Sequence, residues 1–157
     1  MSQEEKSFIN LAGEFLVAGE LNRRRLAASI TYGPSKSADI YVFSRTGDKL
    51  AKVEVKTTEK LRWPVGHRAM SEENERPGIF WVLVKLADDA NIAPEYHIFS
   101  GSEIAELTRY HYRAYMDGYR LKHGYDYDVS KGDVPNLKYG DVSAHRGGWH
   151  KIEQYLK

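Results

Sequence analysis

The apolar run Ile79-Phe80-Trp81-Val82-Leu83-Val84 is the strongest constraint on how this chain can fold. Uninterrupted and rich in β-branched and aromatic residues, it predicts a strand over 79–85 buried on both faces. Such a strand needs a covering layer above and below, so its sheet must be sandwiched between other elements. The run is far shorter than the ~20 apolar residues that span a bilayer. With 157 residues the chain can bury the required core as one domain, 1–157. It contains no cysteine, which excludes disulfides, thiolate metal sites and a cysteine nucleophile.

Elements on either side of that strand supply the layers. Phe8, Leu11, Ala12, Phe15, Leu16, Ala18, Gly19 and Leu26 recur at three- and four-residue spacing, predicting an amphipathic helix over about 5–27. Arg23-Arg24-Arg25 suits its C-terminal end, and Tyr32-Gly33-Pro34-Ser35 is the turn expected to stop it. Strands at 40–43 and 50–56 flank a hairpin loop, Ser44-Arg45-Thr46-Gly47-Asp48. Another strand is expected at 95–99, and Ser102 is expected to cap a helix over 103–122. Residues 124–148 are rich in Gly, Pro and polar types and read as a long irregular segment; 149–156 reads as a short closing helix. This order, α-β-β-β-β-α, predicts an α/β sandwich around a mixed sheet. The opening Ser-Gln-Glu-Glu-Lys has neither the basic nor the apolar region of a signal peptide, so a soluble protein of the cytoplasm is expected.

The hairpin carries the chemistry. Side chains alternate along a strand, so Val53 and Val55 face the core while Glu54 and Lys56 share the other face. A four-residue loop, 45–48, sets the register so that Asp39 lies opposite Glu54, with Cβ atoms about 4.5–5.5 Å apart. Two carboxylates at that distance repel unless a proton or a cation lies between them. A hard divalent ion with oxygen ligands, such as Mg2+, fits the arrangement. Lys56 would hold or polarise a water beside that ion. Such a set suits phosphodiester hydrolysis, in which the metal lowers the pKa of an attacking water and the ammonium stabilises developing charge. On spacing alone, Glu54 and Lys56 serve equally as polar residues of a half-exposed strand.

A helix, an Asp at the start of a strand and a hairpin leading into Glu-x-Lys together resemble the PD-(D/E)xK nuclease superfamily, which includes restriction endonucleases and Holliday-junction resolvases. The resemblance covers residues 8 to about 99 in order of elements. Within it, Gly13-Glu14-x-x-Val17-Ala18, Leu21, Ser37-Ala38-Asp39 and Val53-Glu54-Val55-Lys56-Thr57-Thr58 are similar to small bacterial endonuclease-like members, with Ala38 in place of the proline before the Asp. The resemblance implies a restriction-endonuclease-like αβββαβ core, a central mixed sheet flanked by helices. It also implies that Asp39 and Glu54 hold Mg2+ or Mn2+, with the Val55 carbonyl as a further ligand. Lys56 would be the catalytic lysine, and Glu14 would contact a metal-bound water. Glu20, about 600° further round the same helix, cannot face the site if Glu14 does. Gly13 favours Glu14 by allowing close approach to the sheet, and Glu20 stays a candidate. The implied function is endonucleolytic hydrolysis of nucleic acid, DNA first; the alternative is a non-catalytic nucleic-acid-binding or assembly module with the same fold.

Charge adds a polarity. The first 70 residues carry 12 Lys and Arg against 8 Asp and Glu, the rest carry 11 against 14, and the net is +1. A basic first half admits a polyanionic partner. Lys36 and Lys60 bracket the motif strands, and Arg62 and Trp63 follow them; these are the expected phosphate contacts and stacking ring. A solvated surface for the cations and core packing for Trp63 are the alternatives. Tyr112, Tyr115 and Tyr119 follow helical spacing with Arg109, Arg113 and Arg120 interleaved, a pattern that suits a nucleic-acid groove, a half-buried helix face or a dimer interface. With no separate recognition domain, a homodimer or a partner subunit is the expected means of gripping a substrate. Zinc spacing, a phosphate-cradling glycine loop, a Gly-x-Ser-x-Gly elbow and a dinucleotide fingerprint are all missing, and those classes drop out.

Overall fold

A computed structural model describes residues 1–33 and 37–157. Helix α1, Gln3–Arg23, begins on a capping box: the Glu5 N–H donates to Ser2 Oγ at 3.1 Å and the Ser2 N–H to Glu5 Oε2 at 2.6 Å. Each bond satisfies an amide that the first turn cannot. The helix stops short of the expected residue 27; of the turn expected at 32–35, residues 34 and 35 lie outside the described residues. The Leu26 N–H bonds the Leu21 carbonyl and the Arg25 N–H bonds that of Asn22, the Schellman arrangement. Arg25 holds the left-handed position, φ 64°, that glycine usually fills. An arginine there carries no stop signal in the sequence. The early stop leaves Ala27–Ile30 to form strand β1, which the apolar spacing does not predict.

Strands β2 (Ile40–Phe43), β3 (Leu50–Thr58), β4 (Arg62–Pro64), β5 (Ile79–Lys85) and β6 (Glu95–Ser100) follow. The main sheet has the order β1-β2-β3-β5-β6; β3 and β5 are parallel and the other pairs antiparallel. Ile40 pairs with Val53 and Phe43 with Leu50, the register expected from a four-residue loop. The β3-to-β5 crossover contains β4 and two 3₁₀ turns, His67–Met70 and Glu72–Glu75, where the αβββαβ pattern has a helix.

After β6 come helix α2 (Gly101–His123), strand β7 (Asn136–Lys138), and helices α3 (Tyr139–Val142) and α4 (His150–Tyr155). The cap of α2 is Ser100, not Ser102, because Glu103 stands three residues on and returns the bond. The segment expected to be irregular contributes β7, which pairs with β4 as a separate ribbon.

Both faces of β5 are covered. Phe80, Val82 and Val84 join Val53, Val55, Val17 and Leu21 beneath α1, while Trp81 and Leu83 join Trp63, Leu137 and Ile104 beneath α2 and the ribbon. Each large apolar side chain so buried contributes about 1.5–3 kcal/mol. Gly13 lets α1 approach the sheet, since a Cβ there would overlap the Thr57 side chain. The Lys151 ammonium fastens the C-terminal segment by donating to the Ile98 carbonyl (2.9 Å), Glu103 Oε2 (2.7 Å) and His145 Nδ1 (3.0 Å). Among the described residues, no helix is long and apolar enough to cross a membrane.

Two stability predictions follow from this packing. Gly13→Ala should destabilise by about 1–3 kcal/mol through overpacking. Gly19→Ala on the same helix, where a Cβ meets nothing within 4 Å, should stabilise by about 0.5–1 kcal/mol; urea titration of both variants separates contact from propensity. The second concerns pH. Burial holds His97 and His145 below the ordinary histidine value of 6.5, helped at His145 by the Lys151 charge. Both rings bind protons less readily folded than unfolded, so their contribution is present above 6.5 and lost as pH falls below it. The melting temperature should drop between pH 7 and pH 5 and the drop should shrink in His145→Gln.

Candidate active site

Asp39 sits at the mouth of the β2–β3 hairpin, one residue before the ladder begins. Its N–H bonds the Val53 carbonyl at 3.1 Å, and its Oδ2 accepts the Val55 N–H at 2.8 Å. Asp39 therefore brackets Glu54 by bonding the residues on either side of it. The Thr31 N–H donates to the Asp39 carbonyl at 2.9 Å, fixing the same residue to the end of β1. Both carboxylates are buried, Asp39 at 6% and Glu54 at 8% exposure. Strand geometry puts the Val55 carbonyl on the same edge as its amide, beside Asp39.

Cations offset this buried negative charge. Glu54 Oε1 lies 2.7 Å from the Lys56 ammonium, and Oε2 lies 3.2 Å from the Arg68 guanidinium. Lys56 Nζ also stands 5.8 Å from the centre of the Trp81 ring, which limits where the flexible stem can swing. Arg68 makes a second bond, 2.6 Å to the Ser37 carbonyl, so it ties the crossover to the segment that leads into Asp39. A small cleft lined by Ser37, Ala38, Lys52, Glu54 and Arg68 opens at this point.

Asn74, which sequence reasoning does not single out, and Arg109, expected only as part of the Tyr and Arg pattern of α2, hold the turn that bears Arg68. Asn74 is buried and donates to the Arg68 carbonyl at 2.8 Å and the Ala69 carbonyl at 3.2 Å, while its Oδ1 accepts the Trp81 indole N–H at 2.8 Å. Arg109 of α2 donates to the Met70 carbonyl at 2.8 Å and pairs with Glu75 at 2.9 Å. Gly101 lets the helix start pass directly over Asn74, whose backbone a Cβ there would strike. An Asn between two glutamates and an arginine carries no local signal; only the fold brings it to Trp81.

The remaining expected residues divide. Lys36 lies outside the described residues. Lys60 is exposed in the turn after β3. Arg62 is exposed on β4, facing a different cleft. Trp63 is wholly buried: its indole donates to the Val84 carbonyl at 2.9 Å, and its ring packs against His97 and Tyr139. It belongs to the core and offers no face for a base, because alternation along β4 turns it inward when Arg62 turns outward. Glu14 is half-buried on α1, in the layer opposite Glu54 and Lys56. Glu20 is committed to Arg23 at 3.0 Å and Arg24 at 3.6 Å, and Arg24 continues to Glu153 of α4 at 3.4 Å. That ionic seam ties Glu20 to the C-terminal end of α1 and to α4.

The donor set suits one kind of metal. Among the described residues no group of three or more His, Cys, Asp or Glu stands together to hold an ion. Two buried carboxylates and a backbone carbonyl are all oxygen, and Mg2+ is commonly bound by one or two carboxylates with water and substrate phosphate completing the shell. Zinc and calcium sites ask for more protein ligands. Asn74→Ala should strand the Trp81 indole and loosen the turn bearing Arg68, costing about 1–3 kcal/mol in urea unfolding; a loss near zero would show that the turn is held some other way.

Comparison with known proteins found no matching family model, no matching curated protein and no matching solved structure, which leaves the geometry of the site to carry the function.

Proposed function

We propose that this chain is a metal-dependent endonuclease that hydrolyses phosphodiester bonds of nucleic acid, DNA first, through a restriction-endonuclease-like site. The observation that carries the reading is the buried pair Asp39 and Glu54, with Asp39 bonding the residues on either side of Glu54 and Lys56 lying 2.7 Å from Glu54. Asp39, Glu54 and the Val55 carbonyl would hold Mg2+ or Mn2+, which supplies charge stabilisation and a more acidic bound water. Lys56 orients that water or meets the charge that develops on the phosphate. Arg68, half-exposed beside Glu54, offers a second cation to the same phosphate. The order helix, three strands and a parallel return strand supports the superfamily reading, with 3₁₀ turns where that fold has its crossover helix. Phe8, Leu11 and Phe15 form an exposed stripe on α1, which supports a second copy or a partner subunit.

One observation favours the other reading, a non-catalytic binding or assembly module. Both oxygens of Glu54 already meet cations, so the pair is neutralised without a metal. A cleavage panel of duplex, single-stranded and branched DNA plus RNA, each with Mg2+, Mn2+ or EDTA, separates the two. Metal-dependent cleavage is expected, lost by at least about 100-fold in Lys56→Ala and lost together with Mg2+ binding in Asp39→Asn. Full activity in Asp39→Asn would overturn the assignment. Salt-sensitive binding with no cleavage of any substrate under any of these metal conditions would favour the module.

A further inference from the structure

Arg62 and Lys138 are directly opposed across the antiparallel β4–β7 ribbon, and both are exposed. Like charges so placed destabilise a strand pair. Among the described residues neither side chain makes an ion pair with a carboxylate. The ribbon does not need them, because Trp63 and Leu137 anchor its inner face in the core. An anion between the two cations would relieve the repulsion.

They face a cleft of about 770 Å3 between the ribbon and α2. Tyr112 and Tyr115 of α2 and Tyr127 beyond it supply the aromatic wall. No residue of α2 after Thr108 is buried; Arg109, Tyr112 and Tyr119 are half-buried, while Arg113, Tyr115 and Arg120 are exposed. Tyr115 is 57% exposed and meets Tyr127 edge-on at 6.3 Å; the Tyr127 hydroxyl donates to the Gly132 carbonyl at 3.0 Å. Two carboxylates, Asp133 and Asp141, line the same cleft. Asp133 pairs with His67 at 3.1 Å and bonds the Tyr112 hydroxyl, pushing that phenol up to about 12. Asp141 lies 3.5 Å from His111 and accepts the Lys138 N–H at 2.9 Å. Arg62 and Lys138 thus face each other across the ribbon, neither paired with a carboxylate among the described residues, beside the aromatic wall.

We infer that this cleft binds a single-stranded segment of nucleic acid, with backbone phosphate at Arg62 and Lys138 and bases stacked on Tyr115 and its neighbours. Unpaired bases offer the π-faces that a duplex keeps stacked inside, and cations beside aromatic rings are how proteins hold such strands. The cleft adjoins the candidate active site through one turn: Arg68 bonds Glu54, and its neighbour His67 bonds Asp133. A strand leaving the cleft over that turn reaches the carboxylate pair. The inference rests on the nuclease reading for its purpose and names that enzyme's substrate class, nucleic acid with a single-stranded stretch beside the cut.

The test is fluorescence anisotropy of a labelled oligothymidine in EDTA, with Lys56→Ala protein so that no strand is cut, against duplex competitor. Oligothymidine should bind and be displaced poorly by duplex. Adding Arg62→Ala and Lys138→Ala should weaken binding about tenfold or more and flatten the log–log salt slope by about 1.4. Tyr115→Ala should weaken it about 5- to 100-fold. Lys138→Glu should abolish binding while raising the melting temperature, since opposite charges then face each other across the ribbon. Equal affinity in the parent and the Arg62/Lys138 double variant, or no binding by the parent, or preference for duplex, overturns the inference. A protein that binds through these residues and cuts nothing in the cleavage panel keeps the cleft and loses the nuclease reading.

Discussion

Alternate residues of β3 do different work, and the rest of the molecule is arranged around that alternation. Ala51, Val53 and Val55 lie in the core beneath α1, while Lys52, Glu54 and Lys56 lie on the face that β5 extends with Trp81 and Leu83. Parallel pairing with β5 places Glu54 beside Trp81 and Lys56 beside Leu83. A carboxylate in that position is desolvated by its apolar neighbours and has to be compensated. Lys56 and Arg68 meet Glu54, and the Val55 amide meets Asp39. The charges are thus held at the rim of a core, where an ion or a phosphate gains more from them than it would at a solvated surface.

The β3-to-β5 crossover links the core to the candidate site. Lacking a helix, it is held by its ends and by side chains reaching in from other elements: Asn74 to the Trp81 indole, Arg109 to the Met70 carbonyl, Trp63 into the core. These fixings present Arg68 to Glu54 on one side and His67 to Asp133 on the other. One short turn therefore joins the carboxylate pair to the aromatic cleft. Its position depends on groups whose loss leaves buried donors unsatisfied, which makes it rigid for an irregular segment.

The second half of α2 shows how a helix can persist without a core beneath it. Its first turns are buried at Ile104, Ala105 and Thr108. Its last turns are closed by Gly124 in the left-handed conformation, and Tyr119 contacts Tyr125 and Tyr127 edge-on at 5.9 Å and 5.1 Å. The aromatic cluster packs against the end of the helix, and the Tyr and Arg pattern in the sequence describes a mixed face, with Arg109, Tyr112 and Tyr119 half-buried and Arg113, Tyr115 and Arg120 exposed.

Local sequence determined β2, β3, β5 and β6, the hairpin register and the helix over most of α1. Each depends on short-range rules: alternation, turn length and three-to-four spacing act between neighbours in the chain. The nearness of Asp39 to Glu54 was legible for the same reason, since a hairpin is a local object, and Gly13 marked the close approach of α1 to Thr57. The tertiary structure decided the rest. Arg25 ends α1 without a glycine, β4 finds β7 more than 70 residues away, and Trp63 turns inward because Arg62 turns outward. Arg68 and Asn74 reach the site only because β5 lies beside β3. These outcomes depend on contacts between distant segments, whose energies no local pattern of residues encodes.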